Sequence, residues 1–267
     1  TNGGGAVKIN SSNSQITVYN LSNGLSNNFV KGLIQDSQGN YWFATYGGGV
    51  CRFTGSVWNT FKTSDGLASN YTFSIFEDAS GNIWCGTNSG VSRFDGLSWT
   101  TFTVTDGLAN NSVTSIAQDG SGAIWFSTLD GISKFAASFW TNFSSQDGLI
   151  SNMVYSLYAD AQSNLWFATD KGVSKYNGIT WTNYDTANGI AANQVYSIFR
   201  ESNNDYWFGL EKNGVSVFNG TSWNNIKQTE GLKTNYVSYT TEGSYGEYWL
   251  ASYYGSTRFD GTTWKNY

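Results

Sequence analysis

The chain alternates short runs of aromatic and β-branched residues with clusters of Gly, Asn, Asp and Ser, and this alternation recurs with a fixed period. Trp marks the period twice. Trp42, Trp84, Trp125, Trp166, Trp207 and Trp249 stand 42, 41, 41, 41 and 42 residues apart, and Trp58, Trp99, Trp140, Trp181, Trp223 and Trp264 stand 41, 41, 41, 42 and 41 apart. One unit shows the whole pattern: Tyr71 to Asp78, a turn at Ala79-Ser-Gly-Asn82, Ile83 to Thr87, a loop at Asn88-Ser-Gly90, Val91 to Phe94, then Trp99-Thr-Thr-Phe102. Four such runs bounded by turn formers predict four antiparallel strands, and no segment sustains the 3.6-residue apolar period of a helix.

A period near 41 residues with four strands per unit predicts an all-β protein, a β-propeller of four-stranded antiparallel blades. The blades are expected at 29–61, 70–102, 111–143, 152–184, 193–226 and 235–267, in a single propeller domain spanning 1–267. Both Trp series then have a structural role, a large flat side chain filling the wedge between neighbouring twisted sheets. Thr1 to Ile9 aligns with Thr87 to Phe94, and Ile16 to Tyr19 with Trp99 to Phe102. Residues 1–28 are therefore expected to supply an N-terminal half blade and a link. Unpaired sheet edges invite pairing. Two further strands after Tyr267, in a longer polypeptide, would complete a seven-bladed full form; a six-bladed ring with the first 28 residues packed outside is the alternative.

Composition narrows the chemistry. The 267 residues include no His and no Pro, and 17% are aromatic while 12% are charged. Without His there is no Ser-His or Cys-His nucleophile pair and no His-ligated zinc. The net charge of −5 argues against nucleic acid as a partner, since phosphate binding calls for a basic stripe. No apolar run approaches the length of a membrane-spanning helix, and Thr1 does not open a basic-plus-apolar leader. Cys51 and Cys85 hold repeat positions taken elsewhere by Ser or Phe, which predicts two buried free thiols. Neither a cofactor nor a metal is expected.

Loops at the two ends of an antiparallel sheet alternate, so the loop after strand two and the link from strand four share one end. That end is the expected binding mouth, because its tips vary on a constant frame: Tyr46, Asn88, Leu129-Asp130, Asp170-Lys171, Glu211-Lys212-Asn213 and Tyr253-Tyr254. The candidate ligand-binding residues are Tyr46, Asn88, Asp130, Asp170, Lys171, Glu211, Lys212, Tyr253 and Tyr254; ordinary solvated tips are the alternative. Asp36, Asp78, Asp119 and Asp160 precede Gly/Asn turns. Asp78-x-Ser80-x-Asn82 spaces oxygens as a calcium loop does, but turn hydrogen bonding is the expected role. Asn28, Asn70, Asn111, Asn152, Asn193 and Asn235 open the units and are expected to cap backbone groups. Arg52, Arg93, Lys134, Lys175 and Arg258 recur in strand three, which spreads the cations apart. Paired carboxylates such as Asp170 and Glu211 could in principle hydrolyse glycosides, but nothing in the sequence poises them. Asp185-Thr-Ala187 matches a short bacterial O-glycosylation pattern.

The repeat resembles the propeller repeats of two-component regulators, with the approximate consensus G-L-x-x-N-x-V-x-S-I-x-x-D-x-x-G-N-x-W-x-G-T-x-x-G-V-x-R-F. Gly107-Leu108, Asn111, Val113, Ser115-Ile116, Asp119, Gly122, Trp125, Thr128, Gly131-Ile132 and Lys134-Phe135 carry it here. The resemblance implies a non-enzymatic module outside the cytoplasm, secreted, on the cell surface or periplasmic, that binds a protein or a glycan. Its partners would be other segments of the same longer polypeptide or another protein. A surface structural or adhesion subunit is the alternative, and a polysaccharide-active enzyme a more distant one. Propeller lyases that cleave antibiotics are the nearer enzymatic comparison, and their chemistry leans on His. Two features depart from the family: Pro is missing after Gly-Leu, and the sixth unit has Tyr239, Gly243 and Ser252-Tyr-Tyr254 where Ser, Asp and Thr-x-x recur. That unit is expected to face a partner.

Overall fold

A computed structural model describes residues 3–9, 15–243 and 246–267. Its strands form six four-stranded antiparallel sheets, each in chain order, and a two-stranded sheet, Ala6–Ile9 with Ile16–Tyr19. First strands are Val30–Gln35, Thr72–Glu77, Val113–Gln118, Val154–Ala159, Val195–Arg200 and Tyr239–Glu242. Second strands are Tyr41–Thr45, Ile83–Thr87, Ile124–Thr128, Leu165–Thr169, Tyr206–Leu210 and Tyr248–Ser252. The fold is thus an all-β propeller of six blades with a half blade at its N-terminal end. The chain divides into two compact units, Thr1–Ile116 with Ser138–Thr141, and Ala117–Ala137 with Asn142–Tyr267.

The blade-to-blade link is a single 3₁₀ turn, as at Thr63–Asp65 and Ser145–Asp147. The opening Asn of the next unit caps it: Asn28, Asn70, Asn111, Asn152, Asn193 and Asn235 each accept the backbone N–H seven residues earlier, at 2.7–3.0 Å. The turn ends on glycine in the left-handed region, with φ of 115° at Gly148. A Cβ there would stand 2.7 Å from the Trp181 ring, so backbone conformation and indole packing both demand glycine. The following Leu149 is buried. Asp185-Thr-Ala187 occupies this same link, where the Asp185 side chain accepts the Ala187 N–H at 2.8 Å.

Five of the first Trp series, Trp42, Trp84, Trp125, Trp166 and Trp207, lie in the core at 1–5% exposed, and Trp249 is half-buried. A buried indole N–H needs an acceptor. The carboxylate six residues earlier provides it: Asp36 to Trp42 at 2.7 Å, Asp78 to Trp84 at 2.8 Å, Asp119 to Trp125 at 2.7 Å and Asp160 to Trp166 at 3.2 Å. Glu201 takes this part for Trp207 at 2.9 Å. The other carboxyl oxygen closes the turn, as Asp78 does with the Ser80 and Asn82 N–H groups. Partial burial pushes these four Asp carboxyls up, but indole and backbone N–H donors, with an Asn amide at Asp36, Asp78 and Asp160 and a hydroxyl of Ser121 at Asp119 and of Tyr206 at Asp160, outweigh it and hold them below the usual carboxylate range. The turn role expected of the Asp residues is therefore half of what they do. The calcium-like spacing of Asp78, Ser80 and Asn82 is absorbed as well, because Asp78 faces N–H donors.

Strand register explains the recurring cations. Arg52 pairs with Trp42 and Arg93 with Trp84, and their guanidinium groups lie 5.5 and 5.6 Å from the indole centroids. The second Trp series is half-buried, and Trp181, Trp223 and Trp264 stack on the strand-three ring opposite, Trp181 on Tyr176 at 4.5 Å. Fourth-strand aromatics bridge neighbouring blades: Phe61 lies 5.3 Å from Phe94 and 5.6 Å from Trp99. Tyr19 of the half blade repeats those contacts on the first blade, 5.5 Å from Phe53 and 5.8 Å from Trp58. The half blade therefore sits on its neighbour as a full blade does. An apolar groove lined by Ala6, Val7, Tyr19, Leu33, Tyr41 and Phe43 runs beside it. Cys51 and Cys85 are buried and unbridged.

Candidate functional site

Each unit opens with Asn, and the third residue after it varies: Lys31, Phe73, Thr114, Tyr155, Tyr196 and Ser238. In four sheets the ladder slips by one residue at this place. Val30 pairs with Thr45 and Gly32 with Ala44, and Thr72 pairs with Thr87 and Ser74 with Gly86. Val154 pairs with Thr169 and Ser156 with Ala168, and Val195 pairs with Leu210 and Ser197 with Gly209. Lys31, Phe73, Tyr155 and Tyr196 are the residues left out of the pairing. Such a bulge re-aims its side chain out of the strand's alternation, which is how a repeat with an invariant core presents a variable group.

In the unit containing residues 142–267, the bulges assemble a row of half-buried tyrosines. The Tyr155 and Tyr196 ring centroids are 5.1 Å apart, and Tyr196 and Tyr236 are 5.5 Å apart. Gln194 donates to the Tyr196 hydroxyl at 2.9 Å, and the Tyr155 hydroxyl donates to the Met153 sulfur at 3.1 Å. Asp170 and Glu211 immediately follow Thr169 and Leu210, the second-strand partners of Val154 and Val195, so each carboxylate closes the strand beside a bulge. The Glu211 N–H donates to the Gln194 carbonyl at 3.0 Å, and the Val237 N–H to the Leu210 carbonyl at 2.9 Å, bringing Tyr236 to the same end.

This corner is electrostatically negative. Burial pushes the Tyr196 hydroxyl up to about 12, with Tyr236 and Glu211 adding to the shift. Tyr155 is raised by burial and then by Asp170 and Glu211, and Tyr236 by burial and then by Glu211. One carboxyl oxygen of Asp170 is buried without a hydrogen-bond partner. Among the described residues the single ion pair joins Lys134 to Asp119 at 4.0 Å, so neither Asp170 nor Glu211 is paired with a cation. Lys171 and Lys212, beside them in sequence, are exposed.

The remaining predicted residues do not join this corner. Tyr46 lies in the other unit, edge-on to Tyr71 at 5.0 Å and 6.1 Å from Phe73, with the Lys31 ammonium 5.6 Å from its ring centroid. Asn88 is exposed and donates its N–H to the Tyr71 carbonyl at 3.3 Å. Asp130 accepts from the Asn152 amide at 3.0 Å. Tyr253 and Tyr254 contact each other edge-on at 5.4 Å and are 68% and 69% exposed. Variable loop tips do not point to Tyr155 and Tyr196, which sit in first strands, or to Gln194 and Tyr236, which precede them. The signal available was the variability of the first and third positions after Asn. No group of three Cys, Asp or Glu residues capable of holding a metal occurs among the described residues.

Four repeats, at residues 24–47, 66–89, 107–130 and 148–171, match the family described as two component regulator propeller. No curated protein matches the sequence. The extracellular domain of a hybrid two component system of B. thetaiotaomicron shares the fold at a TM-score of 0.86 and 22% identity over 98% of this chain, which spans 37% of that one. Virginiamycin B lyase of Staphylococcus aureus, as a catalytically inactive variant with quinupristin, gives a TM-score of 0.75 at 14% identity, covering 93% of this chain and 86% of the lyase. PorZ, a surface component of the type-IX secretion system of Porphyromonas gingivalis, gives 0.68 at 15%, covering 85% of this chain and 38% of PorZ. At these identities the likeness is one of fold. The change in the inactive lyase replaces a histidine, a residue type this chain lacks. By its period, its four-stranded blades and the four matched segments, the chain carries two component regulator propeller repeats.

Proposed function

We propose that this chain is a non-enzymatic, extracytoplasmic binding module whose ligand, a glycan or a protein segment, rests on Tyr155, Tyr196 and Tyr236. The observation that carries this reading is the pair of β-bulges that take Tyr155 and Tyr196 out of strand pairing and set them beside the unpaired carboxylates of Asp170 and Glu211. Half-buried aromatic faces with a few polar groups around them are what a recognition surface needs. The fold likeness to a hybrid sensor's extracellular domain supports a sensory role within a longer protein, and no helix among the described residues is long and apolar enough to cross a membrane. The test is calorimetric titration of the chain with a panel of oligosaccharides and peptides, with the tyrosine ring signals followed by NMR. Binding should shift those signals and be lost in Tyr196→Ala. Turnover of a polysaccharide, or binding undiminished in Tyr196→Ala, would overturn the reading.

A second reading, a subunit of a larger surface assembly, draws on the sixth blade, where Tyr239, Tyr253 and Tyr254 are 60%, 68% and 69% exposed. The groove beside the half blade would take further strands of the same polypeptide or of a partner. On this reading, replacing Tyr253 and Tyr254 together by Ser abolishes co-purification of the assembly while leaving the Tyr196 site intact.

A further inference from the structure

The two units use the bulge position differently. In the first, Lys31 is itself a bulged residue, and its ammonium lies 5.6 Å from the Tyr46 ring beside Tyr71 and Phe73, so that aromatic cluster already holds an internal cation. In the second, the same repeat position is Tyr155 and then Tyr196. Here the aromatic row spans Tyr155, Tyr196 and Tyr236 at 5.1 and 5.5 Å spacings, and among the described residues no Lys or Arg lies over any of these rings. Two carboxylates border it, neither has an ion-pair partner, and one oxygen of Asp170 is buried with no donor to satisfy it. Leaving such an oxygen unsatisfied is costly unless a donor arrives from outside.

We propose that the tyrosine row with Asp170 and Glu211 is a site for an organic ammonium group, the external counterpart of Lys31 in the other unit. This rests on the binding reading above and names the chemistry of its ligand. An ammonium is attracted to the negative face of a tyrosine ring, and three rings in a row give it several such faces. Its N–H groups can donate to Asp170 and Glu211, forming charge-assisted bonds. A neutral sugar or an acetylated amine lacks the charge that both features favour. The ammonium could belong to an amino sugar or to the side chain of a lysine.

The experiment titrates the intact chain with four probes under NMR observation of the tyrosine rings. They are chitobiose with free amines, its N,N′-diacetyl form, Nα-acetyl-lysine-N-methylamide, and the same compound acetylated on its side chain. We expect at least one free amine to shift the rings of Tyr155, Tyr196 and Tyr236, with its acetylated counterpart weaker by about tenfold or more. The chitobiose and lysine arms tell an amino-sugar source from a lysine source. Asp170→Asn with Glu211→Gln should cost about tenfold for the amine and leave an acetylated probe unaffected. Circular dichroism establishes that the double variant is folded, and Tyr196→Phe, which keeps the ring, should retain most of the affinity. If the acetylated probes bind these rings as well as the amines do, the ammonium assignment is overturned while the binding site stands. If none of the probes moves the rings, the assignment is overturned, and the oligosaccharide and peptide panel decides separately whether the site binds at all.

Discussion

Removing the Asp78 side chain tests the carboxylate–indole link that each of the first five blades carries. Asp78 accepts the Ser80 and Asn82 backbone N–H groups at 2.9 Å, the Asn82 amide at 2.9 Å and the Trp84 indole at 2.8 Å. In Asp78→Ala the turn donors turn to water, because Ser80 is exposed and Asn82 half-exposed. The Trp84 indole, 2% exposed, cannot. Stranding it costs about 1–3 kcal/mol, and losing the turn bonds adds about 1 kcal/mol, for a total of about 2–4 kcal/mol. That is a sizeable part of the roughly 5–15 kcal/mol that holds a typical domain together. The control is Asp95→Ala. Asp95 accepts the Leu97 and Ser98 N–H groups in an exposed hairpin turn and no buried donor, so its loss should stay within about 1 kcal/mol. Guanidinium unfolding followed by circular dichroism and Trp fluorescence measures both variants. Equal losses would refute the claim that the indole bond, and not the turn, makes this Asp structural.

Acidification acts on the same groups. The carboxyls of Asp36, Asp78, Asp119 and Asp160 are lower in the folded chain than their ordinary value of 3.8, so their contribution is full above that value and is lost as pH falls through the folded values; stability measured against pH should drop below about pH 4 and drop less in Asp78→Asn. Gly148→Ala should cost at least about 1–2 kcal/mol in chemical unfolding, since its φ of 115° suits glycine and a Cβ would meet the Trp181 ring at 2.7 Å. Asn111→Ala removes the acceptor of the Val104 N–H and should cost about 0.5–2 kcal/mol by the same assay, whereas no change would deny the cap its role. Cys85 is fully buried and its thiol is pushed up by that burial, so a thiol reagent should label it only at the rate of unfolding; rapid labelling of the native chain would contradict the packing.

Much of this protein could be read before any coordinates. Two Trp series at a 41-residue step required a repeated four-stranded unit, and β-branched and aromatic runs between Gly, Asn and Asp left few other ways to bury so many rings. The alignment of Ile16 to Tyr19 with a fourth strand placed the half blade, because Tyr19 carries the same aromatic that bridges blades elsewhere. Tertiary structure decided what single residues do. Asp78 and Trp84 are six apart in sequence, and only the turn between their strands brings carboxylate and indole within 2.8 Å. Arg52 and Trp42 meet because register sets them opposite each other. The candidate site was the least legible part. A bulge shifts pairing by one residue without leaving a mark in composition, so Tyr155 and Tyr196 look in sequence like ordinary strand positions, whereas Asp170 and Glu211 stand out only as variable loop tips. Periodicity records which residues share a face of a regular strand. Where the ladder slips, the face changes, and the contact between a bulged ring and the next blade depends on through-space packing that spacing along the chain does not encode.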